Sequence, residues 1–298
     1  MEIDTPFPTK LNNVSDAPEP LRSALVENFT SGEPVRLLVY APAFAAGDEK
    51  SPQTVLAVTN KGWLVASETE DGVAAVEKSD FSDTLFLELK SILLLGQLRI
   101  SFAAVDTSRS VTIKFETVGD ELYRKAIDLI LGGIDPALTT VAEMDRNEAS
   151  MVETWPMKVR NEAQRYWPRG QRLLAAIHWP AIFDGSQQQV APPGALLITE
   201  RELVLFSEEK QTSADSPTEA SPPTESKEGI GGIMTFVPRV RLAEFNVSRQ
   251  EHFDVLALQV SSAHGGEKLE IIFPSDDQEA VSKAMEQVLL SPGLRGQT

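Results

Sequence analysis

The sequence contains no cysteine. This absence excludes disulfide frameworks, thiolate metal sites and cysteine nucleophiles, and it fits a reducing compartment. The chain also lacks any run of about 18 apolar residues, and residues 1–20 have neither the basic patch nor the apolar run of a secretory signal. We therefore expect a cytoplasmic protein without a membrane-spanning helix.

Basic residues are scarce, with 27 Lys and Arg against 44 Asp and Glu, and the formal net charge is −17. A field of this sign repels phosphates and anionic lipid head groups. The composition therefore argues against nucleic acid as a partner, and it disfavours a membrane surface. Hydrophobic residues still make up 42% of the 298 residues, which is enough for the cores of two domains.

No catalytic, cofactor or metal motif is recognisable. The three histidines, His178, His252 and His264, lack the spacing of metal-binding and catalytic-triad motifs. Neighbouring carboxylates such as Asp276 and Asp277 are expected in so acidic a chain without any function. We predict that the protein is not an enzyme and holds no cofactor or metal. A hydrolase that uses clustered carboxylates is the enzymatic alternative.

An internal repeat is the most informative feature of the sequence. Residues 55–68 (VLAVTNKGWLVASE) align without a gap with residues 195–208 (ALLITERELVLFSE). Residues 98–131 align in the same way with residues 256–289, at a spacing of 158. Upstream, residues 36–38 (RLL) match residues 172–174 at a spacing of 136. Three blocks thus recur in the same order, which predicts two copies of one domain.

Each copy has the pattern of several strands followed by one helix. The first aligned block reads as two strands joined by a tight turn, and later segments alternate in polarity as half-buried strands do. Apolar residues then recur at helical spacing in residues 123–131 and 281–289, which predicts an amphipathic helix at the end of each copy. Shorter helices are predicted before each copy, at residues 20–30 and 156–167.

The paired strands at residues 56–68 and 196–208 resemble the second and third strands of bacterial pleckstrin-homology-like (PH-like) domains. This resemblance covers residues 34–131 and 170–290. It implies an α+β, mainly β fold with two tandem PH-like barrels. Each barrel would be a strongly bent antiparallel sheet of six to seven strands, closed by a C-terminal amphipathic helix and preceded by a short helix. The family offers no common catalytic or ligand-binding residues to carry over.

The predicted organisation has two domains between short tails. A disordered or extended tail covers residues 1–17, the first domain with its leading helix covers 18–135, and a linker covers 136–153. The second domain covers 154–291 and is followed by a tail at 292–298. Residues 208–232 are almost free of large apolar side chains, so they cannot offset the entropy of ordering, and we predict a disordered insertion there.

Aromatic and apolar residues that we expect to be exposed or partly exposed form a candidate interaction surface. They lie on the segment between the domains and in an unusually apolar run: Trp155, Tyr166, Trp167, Ile92, Leu93, Leu94 and Leu95. One interpretation is that they pack the two barrels together. The other is that they contact a partner protein or a second copy of the chain in a homodimer.

The function expected from these features is non-enzymatic binding or scaffolding. Tandem PH-like domains would bind a protein or peptide, either by adding a strand to an open barrel edge or through the apolar surface. A peripheral lipid-binding adaptor is the alternative. The loops at residues 45–53 and 184–194, where PH domains hold phosphoinositides, contain one Lys and no basic residue respectively, so this alternative is disfavoured.

Overall fold

The computed structural model describes residues 6–29, 33–46, 49–105, 107–136, 150–166, 171–208 and 231–290. Within these residues the fold is mainly β, with several sheets and four α-helices. The elements of the first half are β1 Thr9–Leu11, α1 Leu21–Asn28, β2 Val35–Ala41, β3 Phe44–Ala46, β4 Glu49–Ser51, β5 Thr54–Thr59, β6 Gly62–Glu68, β7 Ala74–Asp80, β8 Thr84–Ile92, β9 Leu95–Ala104, β10 Thr107–Glu116 and α2 Asp120–Ile134.

The described elements of the second half follow the same order from α1 onward, and residues 137–149, which precede its leading helix, lie outside the described residues. Its elements are α3 Met157–Tyr166, β11 Leu173–Trp179, β12 Ile182–Phe183, β13 Gln189–Ala191, β14 Gly194–Thr199, β15 Glu202–Glu208, β16 Gly231–Pro238, β17 Leu242–Arg249, β18 Asp254–Ser262, β19 Gly265–Phe273 and α4 Gln278–Leu290. The spacing between β5 and β14 is 140 residues, and the spacing between α2 and α4 is 158. Both values equal those of the sequence alignment.

The match between residues 36–38 and 172–174 is wrong by two residues. Val35 pairs with Thr59 at the end of β5, and Leu173 pairs with Thr199 at the end of β14, so β2 and β11 correspond at a spacing of 138. A shift of two residues keeps every side chain on the same face of a strand. The polarity pattern alone therefore could not distinguish the two registers.

The strands form a five-stranded sheet, a seven-stranded sheet, a three-stranded sheet and two small hairpins. Their orders are β1-β2-β5-β6-β7, β10-β9-β8-β16-β15-β14-β11, β17-β18-β19, β3-β4 and β12-β13. The seven-stranded sheet joins the halves, because β8 of the first half pairs with β16 of the second. The described strands do not close into a barrel, so the predicted pair of PH-like barrels is not confirmed.

Strands β14 and β15 of the seven-stranded sheet are largely buried on both faces, and the apolar residues of this sheet divide between two clusters. One cluster packs α2 and the sheets of the first half together with Val159 and Ala163 of α3. The other packs β17, β18, β19 and α4 onto the opposite face, and it includes Leu85 and Phe86 from the first half. All six residues of β14 are buried, as expected for a strand covered on both faces.

The predicted helices are present, and they bury the faces that their sequence patterns indicate. In α2 the buried residues include Tyr123, Ile127 and Ile130 of the predicted apolar stripe. Leading helix α1 buries Leu21 and Leu25 against the outer face of the first sheet, in a third cluster. Helix α3 covers the equivalent face of the second half.

Several predicted boundaries need correction. Within the predicted tail, Thr9–Leu11 form β1, and Leu11 and Ala17 are buried. Of the predicted insertion 208–232, Glu208 belongs to β15 and Gly231 begins β16, while residues 209–230 lie outside the described residues.

The predicted linker 136–153 is described only at its two ends, and Val152 at its second end is fully buried. Burial in the core distinguishes this end from a solvated linker. Residues 137–149 and the tail 292–298 lie outside the described residues.

Because Phe86 of the first half lies in the core of the second, the halves should unfold together. Replacing the fully buried Phe86 with Ala should lower the free energy of unfolding by about 3–5 kcal/mol, in one cooperative transition. Guanidinium denaturation followed by fluorescence and by circular dichroism measures the free energy of unfolding and shows whether there is one transition or two. Leu94→Ala, at a side chain that is 73% exposed, is the control and should change stability by less than about 0.5 kcal/mol. Two separate transitions would contradict this view of the core.

Candidate functional site

The edges of the sheets differ in how they are protected. An edge strand has unpaired backbone N–H and C=O groups, and natural proteins commonly protect such strands with charged side chains. The edges of the three larger sheets are β1, β7, β10, β11, β17 and β19. Strand β11, with the sequence LLAAIHW, lacks Asp, Glu, Lys and Arg, whereas each of the other five contains at least one of them. Strand β11 is therefore the unprotected edge among the larger described sheets.

The equivalent strand of the first half, β2, is covered by the N-terminal segment of the chain. Strand β1 pairs antiparallel with it, with Thr9 opposite Tyr40, Lys10 opposite Val39 and Leu11 opposite Leu38. No described strand pairs with the corresponding edge of β11. Among the described residues, the repeat thus presents the same edge twice, with a strand added to it in the first half only.

Side-chain burial follows this difference. In β2 the five consecutive residues 37–41 are all buried. In β11 only Leu173 and Trp179 at the two ends are buried, and the five residues between them are half-buried. The exposure of 174–178 is what an unoccupied strand position would leave.

The edge site is defined here as β11 together with Trp155, which lies beside it. At the spacing of 138, Leu38 and Tyr40 correspond to Ala176 and His178. Ala176 packs against the cluster on the α3 side of the sheet, as does Trp155, whose ring centroid is 5.7 Å from that of His178. Ala and His are smaller than Leu and Tyr, and the indole ring of Trp155 lies beside them on this surface.

His178 is a half-buried component of this site. Burial lowers its pKa, and the nearby carboxylates of Asp277 and Glu208 oppose that shift only in part. Its Nε2 atom is buried without a hydrogen-bond partner among the described residues. In the first half the hydroxyl of Tyr40 donates to Oε1 of Gln53 at 3.1 Å, but Pro193 stands at the position corresponding to Gln53 and has no side-chain acceptor.

The approach to the edge site also differs between the halves. Gly119 immediately precedes α2, and a Cβ atom built there would lie 2.4 Å from the ring of Pro8 in the segment leading into β1. The corresponding residue of the second half is Asp277, which immediately precedes α4. Burial raises the pKa of Asp277, and Asp276 raises it further. A half-buried carboxylate therefore stands where the first half accommodates its N-terminal segment.

The predicted interaction residues are divided by the structure. Trp155 joins the edge site, while Tyr166 ends α3, with a side chain outside the described part, and Trp167 is not described. Residues Ile92, Leu93, Leu94 and Leu95 form the β8–β9 hairpin tip, four strands away from β11. Ile92 is half-buried and pairs with Gly231, whereas Leu93 and Leu94 are exposed.

Sequence reasoning missed β11 as a site. The available signal was the absence of charge in residues 173–179. That signal becomes meaningful only once the strand is known to be an edge.

Among the described residues, no group of three or more His, Asp or Glu side chains is placed to hold a metal ion. No described helix is long and apolar enough to cross a membrane. His264 lies in the β18–β19 turn, and its Nδ1 atom is 2.7 Å from Oδ1 of Asp83, which links the two halves.

Comparison with protein-family models gave no match, and a search of curated proteins also found no match.

The contact between Pro8 and Gly119 can be tested by placing the second half's residue in the first half. Gly119→Asp should displace Pro8 and loosen β1, lowering the free energy of unfolding by about 1–3 kcal/mol. Lys10 should then become a site of rapid trypsin cleavage. Gly185→Asp is the matched control, because a Cβ there meets no atom within 4 Å. Equal trypsin resistance of Gly119→Asp and wild type would show that this contact does not hold β1.

Proposed function

We propose that this protein is a non-enzymatic binding or scaffold protein that takes an extended segment of a partner protein onto β11 as an added strand. One observation carries the proposal: β11 is uncharged and no described strand pairs with its outer edge, whereas the equivalent edge of β2 is paired with β1. The chain's own N-terminal segment thus provides a model of how a ligand strand would bind.

The physical basis of such binding is the backbone. An added strand would pair with the free N–H and C=O groups of β11, and each hydrogen bond contributes about 1 kcal/mol net. Alternate side chains of the ligand would face the surface beside Trp155 and provide specificity. Losing translational and rotational freedom offsets part of this gain, so a short peptide should bind with modest affinity.

We also infer that each half is a PH-like unit. Support comes from the order of elements, since each half has a four-stranded group (β2-β5-β6-β7 or β11-β14-β15-β16), a three-stranded group and then a closing helix. Strand addition at one edge of such a unit agrees with the mode of binding expected from the sequence.

Selection from a random peptide library displayed on phage tests the proposed function. Selected peptides should bind the wild-type protein and should lose at least about tenfold in affinity for Ala176→Lys, because a charge at this position opposes an apolar strand on the edge. Ser110→Lys is the matched control, since Ser110 is exposed on β10, the opposite edge of the same sheet. It should leave binding unchanged.

Disulfide trapping would locate the bound peptide. The chain has no native cysteine, so Ala176→Cys introduces the single thiol, and a selected peptide with one cysteine should be captured there but not by Ser110→Cys. Residues opposite each other in paired strands have Cα atoms about 4.5–5.5 Å apart, which suits a disulfide. Selected peptides that bind Ala176→Lys as tightly as they bind the wild-type protein would refute the proposal. A dimer formed by pairing of two β11 strands would also refute it, because the edge would be occupied.

A further inference from the structure

The contacts of the N-terminal segment define which ligand residue would meet which part of the edge site. Along this segment Pro8 contacts Gly119, Thr9 lies opposite Tyr40 and Leu11 lies opposite Leu38. Leu11 is buried in the cluster under α1. The segment therefore makes two side-chain contacts outside the backbone ladder, one at Pro8 and one three residues later at Leu11.

Transferred to the second half, these two positions meet different residues. A ligand strand running in the same direction would place one residue beside Asp277, the counterpart of Gly119. The residue three positions later would lie opposite Ala176, the counterpart of Leu38. The ligand residue at the Pro8 position would thus lie beside the carboxylate of Asp277 instead of Gly119. The ligand residue at the Leu11 position would lie opposite Ala176 instead of Leu38.

The chemistry at both positions is selective. Asp277 and the adjacent Asp276 place two carboxylates at the start of the strand, where a Lys or Arg side chain would form charge-assisted hydrogen bonds. Ala176 packs beside Trp155 against an apolar cluster, so a large apolar side chain of the ligand opposite Ala176 would extend that cluster. The net charge of −17 would also attract a basic segment over a longer range.

Resting on the proposed function, we infer that the ligand of the edge site is an extended protein segment with Lys or Arg three residues before a large apolar residue. The basic residue contacts Asp277, and the apolar residue covers Ala176 beside Trp155. Acidic segments are excluded by repulsion at Asp276 and Asp277.

Three synthetic peptides based on residues 7–13 of the chain (FPTKLNN) test this inference. In FRTKLNN, FQTKLNN and FETKLNN the residue at the Pro8 position is basic, neutral or acidic. Binding is measured by NMR titration of the isotope-labelled full chain, followed at the amide signals of β11. We expect FRTKLNN to bind about two- to fivefold more tightly than FQTKLNN, the range of a solvent-accessible ion pair, and FETKLNN to bind most weakly.

Asp277→Asn is the variant that isolates the carboxylate, because Asn keeps its shape and its capacity to cap α4. It should remove the preference for FRTKLNN, while Asp71→Asn, in an exposed turn after β6, should retain it. If Asp277→Asn does not fold, the same test is made with the wild-type protein at high salt. At about 1 M NaCl, charges are screened beyond about 3 Å, so the preference for FRTKLNN over FQTKLNN should disappear.

The outcomes separate this inference from the function on which it rests. Equal binding of all three peptides at β11 would overturn the basic-residue specificity and leave strand addition intact. A preference for FRTKLNN that persists in Asp277→Asn would overturn the role of Asp277. If no peptide shifts the β11 signals and none from the phage library is trapped at Ala176→Cys, both this inference and the proposed function fail.

Discussion

The pairing of β8 with β16 is the interaction on which the rest of the structure depends. It places the halves side by side in one seven-stranded sheet and lets Phe86 of the first half enter the core of the second. Gly231 permits this pairing, because a Cβ there would lie 2.7 Å from the backbone oxygen of Ser91. Arg241 strengthens the junction by donating hydrogen bonds to the backbone oxygens of Phe81 and Thr84.

This pairing is asymmetric, and the asymmetry accounts for the distribution of charge on the sheet edges. Strand β16 has no charged residue and is covered by β8, whereas its counterpart β7 stays an edge and contains Glu77, Lys78 and Asp80. Strand β17, the counterpart of β8, is also an edge and contains Glu244 and Arg249. In this molecule covered strands can lack charge, while exposed edges carry it.

Strand β11 departs from that relation, and the proposed binding site rests on this departure. Its counterpart β2 has one charged residue, Arg36, which lies outside the part paired with β1. An uncharged edge that no described strand covers is prone to unwanted association, and we propose that a ligand strand covers it. In the proposed complex, the carboxylates of Asp276 and Asp277 limit which strands can do so.

Local features of the fold could be predicted from the sequence, and relations between distant elements could not. The stripe of Tyr123, Ile127 and Ile130 identified α2 because a helix places these residues on one face. The partner of β8 was not predictable, since alternation indicates which face of a strand is buried and not which strand lies beside it. Strand β1 was missed because three residues contain too little pattern, and pairing with β2 is what orders them.

Residue-resolved hydrogen exchange of the free protein tests the central claim that β11 is an open edge while β2 is not. In an antiparallel edge strand alternate amides point away from the neighbouring strand and lack a partner. The account predicts that alternate amides among residues 174–178 exchange rapidly, while amides of residues 38–40, between β1 and β5, are protected throughout. Uniform protection of residues 174–178, equal to that of residues 38–40, would contradict it.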